Sequence, residues 1–226
     1  MTRTPSRTGE YYHLYNRGVE NRTLFATRGD FDRFKAYLYL LNDEDPPRAA
    51  NFFASDRSGS VYESARGERL VAIGAYCLMP IHFHILATPL VENGIARFMQ
   101  KVLTAYTMYF NERTLRSGGL FQGTYKRALA EDDAHIKQLF AYMHLSPARY
   151  FHDDWRSASA EELNLLEGRL MTYPYSSANE YLSSRFVIAS PEYFPRYLTR
   201  AKDMRSHLDL WLKHKDRKGG NGFFEE

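Results

Sequence analysis

The chain has 226 residues, 44% of them hydrophobic and 25% charged, which is enough for one complete core with an appendage. No apolar run approaches the roughly eighteen residues of a membrane span, and no apolar core follows Met1-Thr2-Arg3, so a cytoplasmic protein without a membrane segment is expected. The single cysteine, Cys77, excludes an intrachain disulfide, and a net charge of +3 names no partner until the charges are located.

Taken in order, Glu10 to Asn16 alternates in the manner of a strand, and Gly18 breaks it. Asp30 is the expected cap of a helix over 30–42, whose Phe31, Phe34, Tyr37, Leu38 and Leu41 recur at helical spacing. Residues 42–68 contain Pro46-Pro47 and Ser58-Gly59-Ser60 without a sustained period and read as a long connection with room for a short hairpin. Leu70 to Leu78 and His82 to Thr88 are two strands joined by Met79-Pro80-Ile81, a link so short that they must be antiparallel neighbours. A long amphipathic helix is expected from Gly94 to Arg113, followed by a break at Gly118-Gly119 and a fourth strand from Leu120 to Ala130. Asp132 or Asp133 then caps a helix that carries Tyr142 and ends at Pro147.

Strand, helix, strand, strand, helix, strand predicts an α+β chain with a ferredoxin-like antiparallel sheet. Two helices cover one face, and the other is expected to stay open for chemistry. Residues 1–150 would form the catalytic domain and 151–226 a basic C-terminal extension, within which Tyr173-Pro174-Tyr175-Ser176-Ser177 reads as a turn opening a small unit of about fifty residues, with a frayed tail at Gly219-Gly220-Asn221-Gly222. Charge is segregated along this order. Arg97, Lys101, Arg113, Arg116, Lys126 and Arg127 are offset only by Glu112, and eight Lys or Arg stand against three Asp between Arg196 and Lys218. Such blocks suit a polyanion, and the 17 Tyr and 15 Phe include rings able to stack on exposed bases, although most must be core.

The most informative motif is His82-Phe83-His84, because side chains two apart on a strand share a face and both imidazoles can reach one ion. Alone, the motif also describes a histidine pair on the wet face of a sheet. One cysteine cannot close a structural zinc site, so a divalent ion that also binds a phosphate oxygen fits these ligands better. Tyr142 supplies a hydroxyl nucleophile, and Gln138, Tyr142 and Ser146 lie on one helical stripe with His135 close to it. On this evidence Tyr106, Tyr109 and Tyr125 remain rival nucleophiles.

From Glu10 to Ser177 the chain resembles the REP-associated tyrosine transposases, the single-strand transposases of the HUH single-tyrosine class. The resemblance is carried by YHLYNRG at 12–18, AYCLMPIHFHIL at 75–86, RFMQ at 97–100, YFNER at 109–113, SGGLFQGTYK at 117–126, YMHLSPAR at 142–149 and YPYSS at 173–177. It implies that His82 and His84 hold Mg²⁺ or Mn²⁺ on a scissile phosphate and that Tyr142 is the nucleophile. It further implies cleavage and rejoining of single-stranded DNA near small REP-like hairpins through a 5′-phosphotyrosine. Arg17, Arg113, Arg116, Lys126 and Arg127 are the residues expected on the DNA backbone, and a monomer is favoured over a dimer. Ser146 stands where the family pattern has asparagine, so it is expected to reach the ion only through water, or to leave that place to water or Gln138. The alternative reading is a domesticated hairpin-binding protein that has lost the reaction.

Overall fold

Alternation along the first strand decides how everything else packs. In β1 (Tyr12–Arg17), Tyr12 and Leu14 point to one side of the sheet, leaving His13, Tyr15 and Arg17 on the other. The structure is a computed structural model, and it describes residues 5–47, 50–53 and 58–199 with positions 204–206, 208, 209 and 212. The tail at 219–222 and most of the basic stretch beyond residue 199 lie outside the described residues.

Helix α1 (Arg28–Leu40) starts two residues earlier than the periodicity predicts, because Thr27 is the cap and Asp30 sits at the third helical position of a reciprocal capping box. The long connection that follows forms two short helical pieces, α2 (Ala50–Phe53) and a 3₁₀ turn at Ser58–Glu63, where Phe53 and Val61 join the core. Strands β2 (Val71–Met79) and β3 (His82–Pro89) make the expected hairpin around Pro80-Ile81. Helix α3 (Gly94–Thr114) leads to β4 (Lys126–Leu129), shorter than the predicted strand. Its missing residues still follow β1 irregularly: Val19 N–H donates to the Leu120 carbonyl at 2.9 Å and Phe121 bridges Gly18, until Gly123, at φ +66°, turns the chain.

The sheet order is β2-β3-β1-β4 and every pairing is antiparallel, as expected of the ferredoxin-like arrangement. Helices α1 and α3 cover the first face, where Phe34, Leu38, Phe98 and Tyr106 pack on Leu14, Tyr76, Phe83 and Ile85. The second face is not left open. Helix α4 (Asp133–Leu145), capped by Asp132, lays Ile136, Leu139, Phe140 and Met143 over Ala75, Cys77 and Leu86. The chain continues through α5 (Ala148–Phe151), α6 (Ala160–Met171) and α7 (Ala178–Ser183) and adds Leu166, Leu170 and Tyr181 to the same apolar layer. Helix α6 went unpredicted even though Ser159 and Glu162 form a capping box that the sequence displays. Among the described residues no helix is long and apolar enough to cross a membrane.

Asp30 is the most constrained polar group of the first face. Its carboxylate is fully buried and accepts from the Thr27 N–H at 2.9 Å, the Tyr109 hydroxyl at 2.9 Å and both sides of the Arg113 fork at 3.0 and 3.1 Å. Removing one partner of a buried pair leaves the other charge uncompensated. Arg113→Ala should therefore lower unfolding stability by about 3 kcal/mol, read as a drop in the urea midpoint at unchanged slope.

Candidate active site

The second face turns from apolar to polar where β1 meets β3. Register sets Tyr15 opposite His84 and Arg17 opposite His82, so His13, Tyr15 and Arg17 share a surface with the two histidines of the β2–β3 hairpin. Helix α4 crosses this patch, and the Tyr142 hydroxyl stands 3.4 Å from His84 Nε2. The other nitrogen of that ring, Nδ1, lies 2.9 Å from His13 Nε2. The His82 and His84 rings meet edge to face with centroids 4.9 Å apart. These groups open into a cavity of about 150 Å³, also lined by Ser146, Arg149, Trp155 and Arg156.

Burial governs the charge of this set. Desolvation holds His84 well below the usual imidazole range, with further lowering from His13 and His82, and desolvation pushes His13 down to about 3. Both rings are neutral at physiological pH, the state in which an imidazole has a lone pair to give. The positive charge of the cavity therefore comes from its rim. Arg17 lies on the β1 side and hydrogen-bonds the Gln122 side chain, and Arg149 and Arg156 approach from α5 and the turn beyond it.

The site brings together His82, His84, Tyr142, Ser146 and Arg17. The Ser146 hydroxyl donates to the Tyr142 carbonyl at 2.9 Å, and Ser146 lines the cavity, whereas Gln138 does not. Lys126 reaches its edge, with the ammonium 5.5 Å from the Tyr15 ring centre. The remaining cations expected on DNA lie elsewhere. Arg113 is committed to Asp30 on the first face, Arg116 holds the Asn111 side chain and the Gly119 carbonyl, and Arg127 packs over Tyr12 at 5.1 Å.

The rival tyrosines separate in the same way. Tyr106 is fully buried on the first face and donates to the Leu24 carbonyl at 2.7 Å; burial pushes the Tyr109 phenol, bonded to Asp30, up to about 12. Tyr125 is buried in the same layer. Sequence reasoning missed Tyr15, the second tyrosine of the cavity, together with His13, Arg149 and Arg156. The signals were present: His13 falls in YHLYNRG, and Arg149 closes YMHLSPAR.

A divalent cation fits this donor set. Two imidazoles on one strand face, that of His84 held neutral by burial, open into a space large enough for a phosphate oxygen and waters, with the Ser146 hydroxyl beside them. His82 and His84 are the residues that would hold it.

His144, two residues past Tyr142, points into the core. Its Nδ1–H donates to the Phe140 carbonyl at 2.8 Å, and its Nε2 lies 2.8 Å from the Ser177 hydroxyl, which also receives the Tyr76 N–H at 3.0 Å. Desolvation lowers this imidazole from 6.5 to about 4. Between those values the unfolded chain binds more protons than the folded one. The contribution is thus complete above about pH 6.5 and lost as pH falls toward 4, by about 3 kcal/mol at most. Urea unfolding at pH 7.5 and 5 should show a steeper loss for the wild-type chain than for His144→Gln, and equal slopes against pH would disprove the assignment.

The fold and cavity together define an α+β protein whose antiparallel sheet presents two histidines to a helix-borne tyrosine. Among solved structures it is similar to a REP-associated tyrosine transposase bound to a REP hairpin, with a TM-score of 0.51 at 10% identity over 84% of this chain and 90% of that one. No family model matches the sequence, and no curated protein does. At that identity the likeness establishes the fold, and it agrees with the α+β class expected from the element order.

Proposed function

We propose that this protein cleaves and rejoins single-stranded DNA near small hairpins in a metal-dependent reaction, with Tyr142 as nucleophile. The observation that carries the reading is the Tyr142 hydroxyl 3.4 Å from His84 Nε2, inside a cavity that also holds His82 and is rimmed by arginines. The shared fold with a hairpin-bound tyrosine transposase supports it.

Arg17, Arg149 and Arg156 offer forked donors to the non-bridging oxygens and the neighbouring backbone phosphates. His82 and His84 would hold Mg²⁺ or Mn²⁺, with Ser146 reaching it through water, and the ion when bound would supply polarisation of the scissile phosphate. Tyr142 Oη attacks phosphorus; its bond to phosphorus forms as the bond to the 3′-oxygen breaks. Among the described residues no carboxylate lines the cavity, so the phenolic proton passes to solvent and the departing 3′-oxygen takes one from water. The products are a 5′-phosphotyrosine and a free 3′-hydroxyl. Because the phosphodiester energy is conserved in the covalent link, the 3′-hydroxyl of another strand can reverse the step without an external energy source.

A labelled hairpin oligonucleotide with a single-stranded flank tests the assignment on denaturing gels. Tyr142→Phe should lower cleavage and the covalent adduct at least ~10³-fold while hairpin affinity stays within a few fold. Tyr15→Phe should still cleave. Cleavage retained by Tyr142→Phe and lost in Tyr15→Phe would move the nucleophile to β1, and a wild-type chain that binds the hairpin without cutting would establish a binding protein instead.

The rim carries a separate expectation. Arg149→Ala and Arg156→Ala should each weaken binding of hairpins and unrelated single strands alike and reduce the salt slope by about one. A loss confined to one sequence would show that these side chains read bases.

A further inference from the structure

We propose that His13 is a positioning residue: it accepts the Nδ1 proton of His84 and so holds the Nε2 lone pair of that ring open toward Tyr142 and a bound cation. The inference rests on the metal-dependent reading above and deepens it. His13 Nε2 and His84 Nδ1 are 2.9 Å apart, the rings are tilted by 33°, and both side chains are buried.

A hydrogen bond between two neutral imidazoles contains one proton, so two arrangements exist. In one, His13 donates from Nε2. His84 then carries its own proton on Nε2, an N–H faces the Tyr142 hydroxyl, and no lone pair remains for a cation. In the other, His84 donates from Nδ1 and its Nε2 is bare. Only the second allows His84 to be a ligand.

A ligating histidine ordinarily gives its other N–H to a carboxylate, a backbone carbonyl or water, which fixes the tautomer and turns the ring. Here the strand pairing places an imidazole in that position, because His13 and His84 are diagonal neighbours on the same face of β1 and β3. The His13 ring is itself held in place. Tyr15 stacks on it at 4.6 Å between centroids, and Tyr142 meets it edge-on at 6.2 Å. Accepting at Nε2 puts the His13 proton on Nδ1, a buried atom that makes no hydrogen bond among the described residues. A histidine kept in that position gains nothing for its own packing, where an apolar residue would serve better. The beneficiary is His84.

Two measurements on the full chain test the proposal. Long-range ¹H–¹⁵N spectra of the metal-free chain should show His84 protonated at Nδ1, with that signature absent in His13→Leu. Mn²⁺ titrations without DNA, read by loss of the free-ion electron paramagnetic resonance signal, should give affinities at least about tenfold weaker for His13→Leu. His13→Gln, whose amide oxygen falls near the Nε2 position, should stay within about threefold of the wild type. Protonation of His84 at Nε2 in the wild-type chain overturns the proposal, as does wild-type Mn²⁺ affinity in folded His13→Leu. If His13→Leu does not fold, the wild-type spectrum and His13→Gln still decide. A wild-type chain that shows the Nδ1 proton yet binds no Mn²⁺ would overturn the metal-dependent reading and leave the His13 assignment supported.

Discussion

The site exists because α4 lies across the second face of the sheet where that face ceases to be apolar. Over β2 and the far end of β3 the helix rests on Ala75, Cys77 and Leu86; toward β1 it meets His13 and His84. The seat of the helix is fixed by His144, which spans from the Phe140 carbonyl to Ser177 and through it to the β2 backbone. Residues two apart on a helix lie about 200° around its axis. Anchoring His144 in the core therefore delivers Tyr142 to the cavity.

Burial and charge are divided between the centre of this site and its edge. The His13 and His84 imidazoles are desolvated enough to stay neutral, and the cations are arginines, which keep their charge in almost any surroundings. A polyanion approaching the cavity meets permanent positive charge at the rim and lone pairs farther in. The C-terminal part of the chain belongs to this design. Trp155 and Arg156 line the cavity, Ser177 holds the helix that carries Tyr142, and Tyr181 donates to the Gly74 carbonyl at 2.6 Å. Residues beyond 150 thus close the second face that a four-stranded sheet alone would leave exposed.

Strand alternation also sorts the basic residues that a linear count groups together. Lys126 and Arg127 are adjacent in sequence and face opposite sides, one toward the cavity edge beside Tyr15 and one over Tyr12. Arg113 belongs to the fold rather than to the cavity, since a fully buried carboxylate demands a partner and Asp30 has Arg113 within 3.0 Å. A cluster of positive charge in a sequence therefore marks a surface only after its members have been assigned to faces.

Much of this was legible from residues alone. Period-two and period-3.6 patterns placed the four strands and the helices carrying Phe34, Phe98 and Tyr142, because local spacing decides which side chains can share a face. The same rule put His82 and His84 together and set Ser146 one turn beyond Tyr142. What spacing cannot convey is which faces meet. That β1 lies between β3 and β4 brings His13, Tyr15 and Arg17 beside the histidine pair; the return of the chain after Pro147 brings Arg149, Trp155 and Arg156 to the same cavity; and the packing of α3 on α1 takes Tyr106, Tyr109 and Arg113 away from it. These contacts join residues dozens of positions apart, and they arise from burying two apolar sheet faces at once, a condition that acts on the whole chain and leaves no local signature in any part of it.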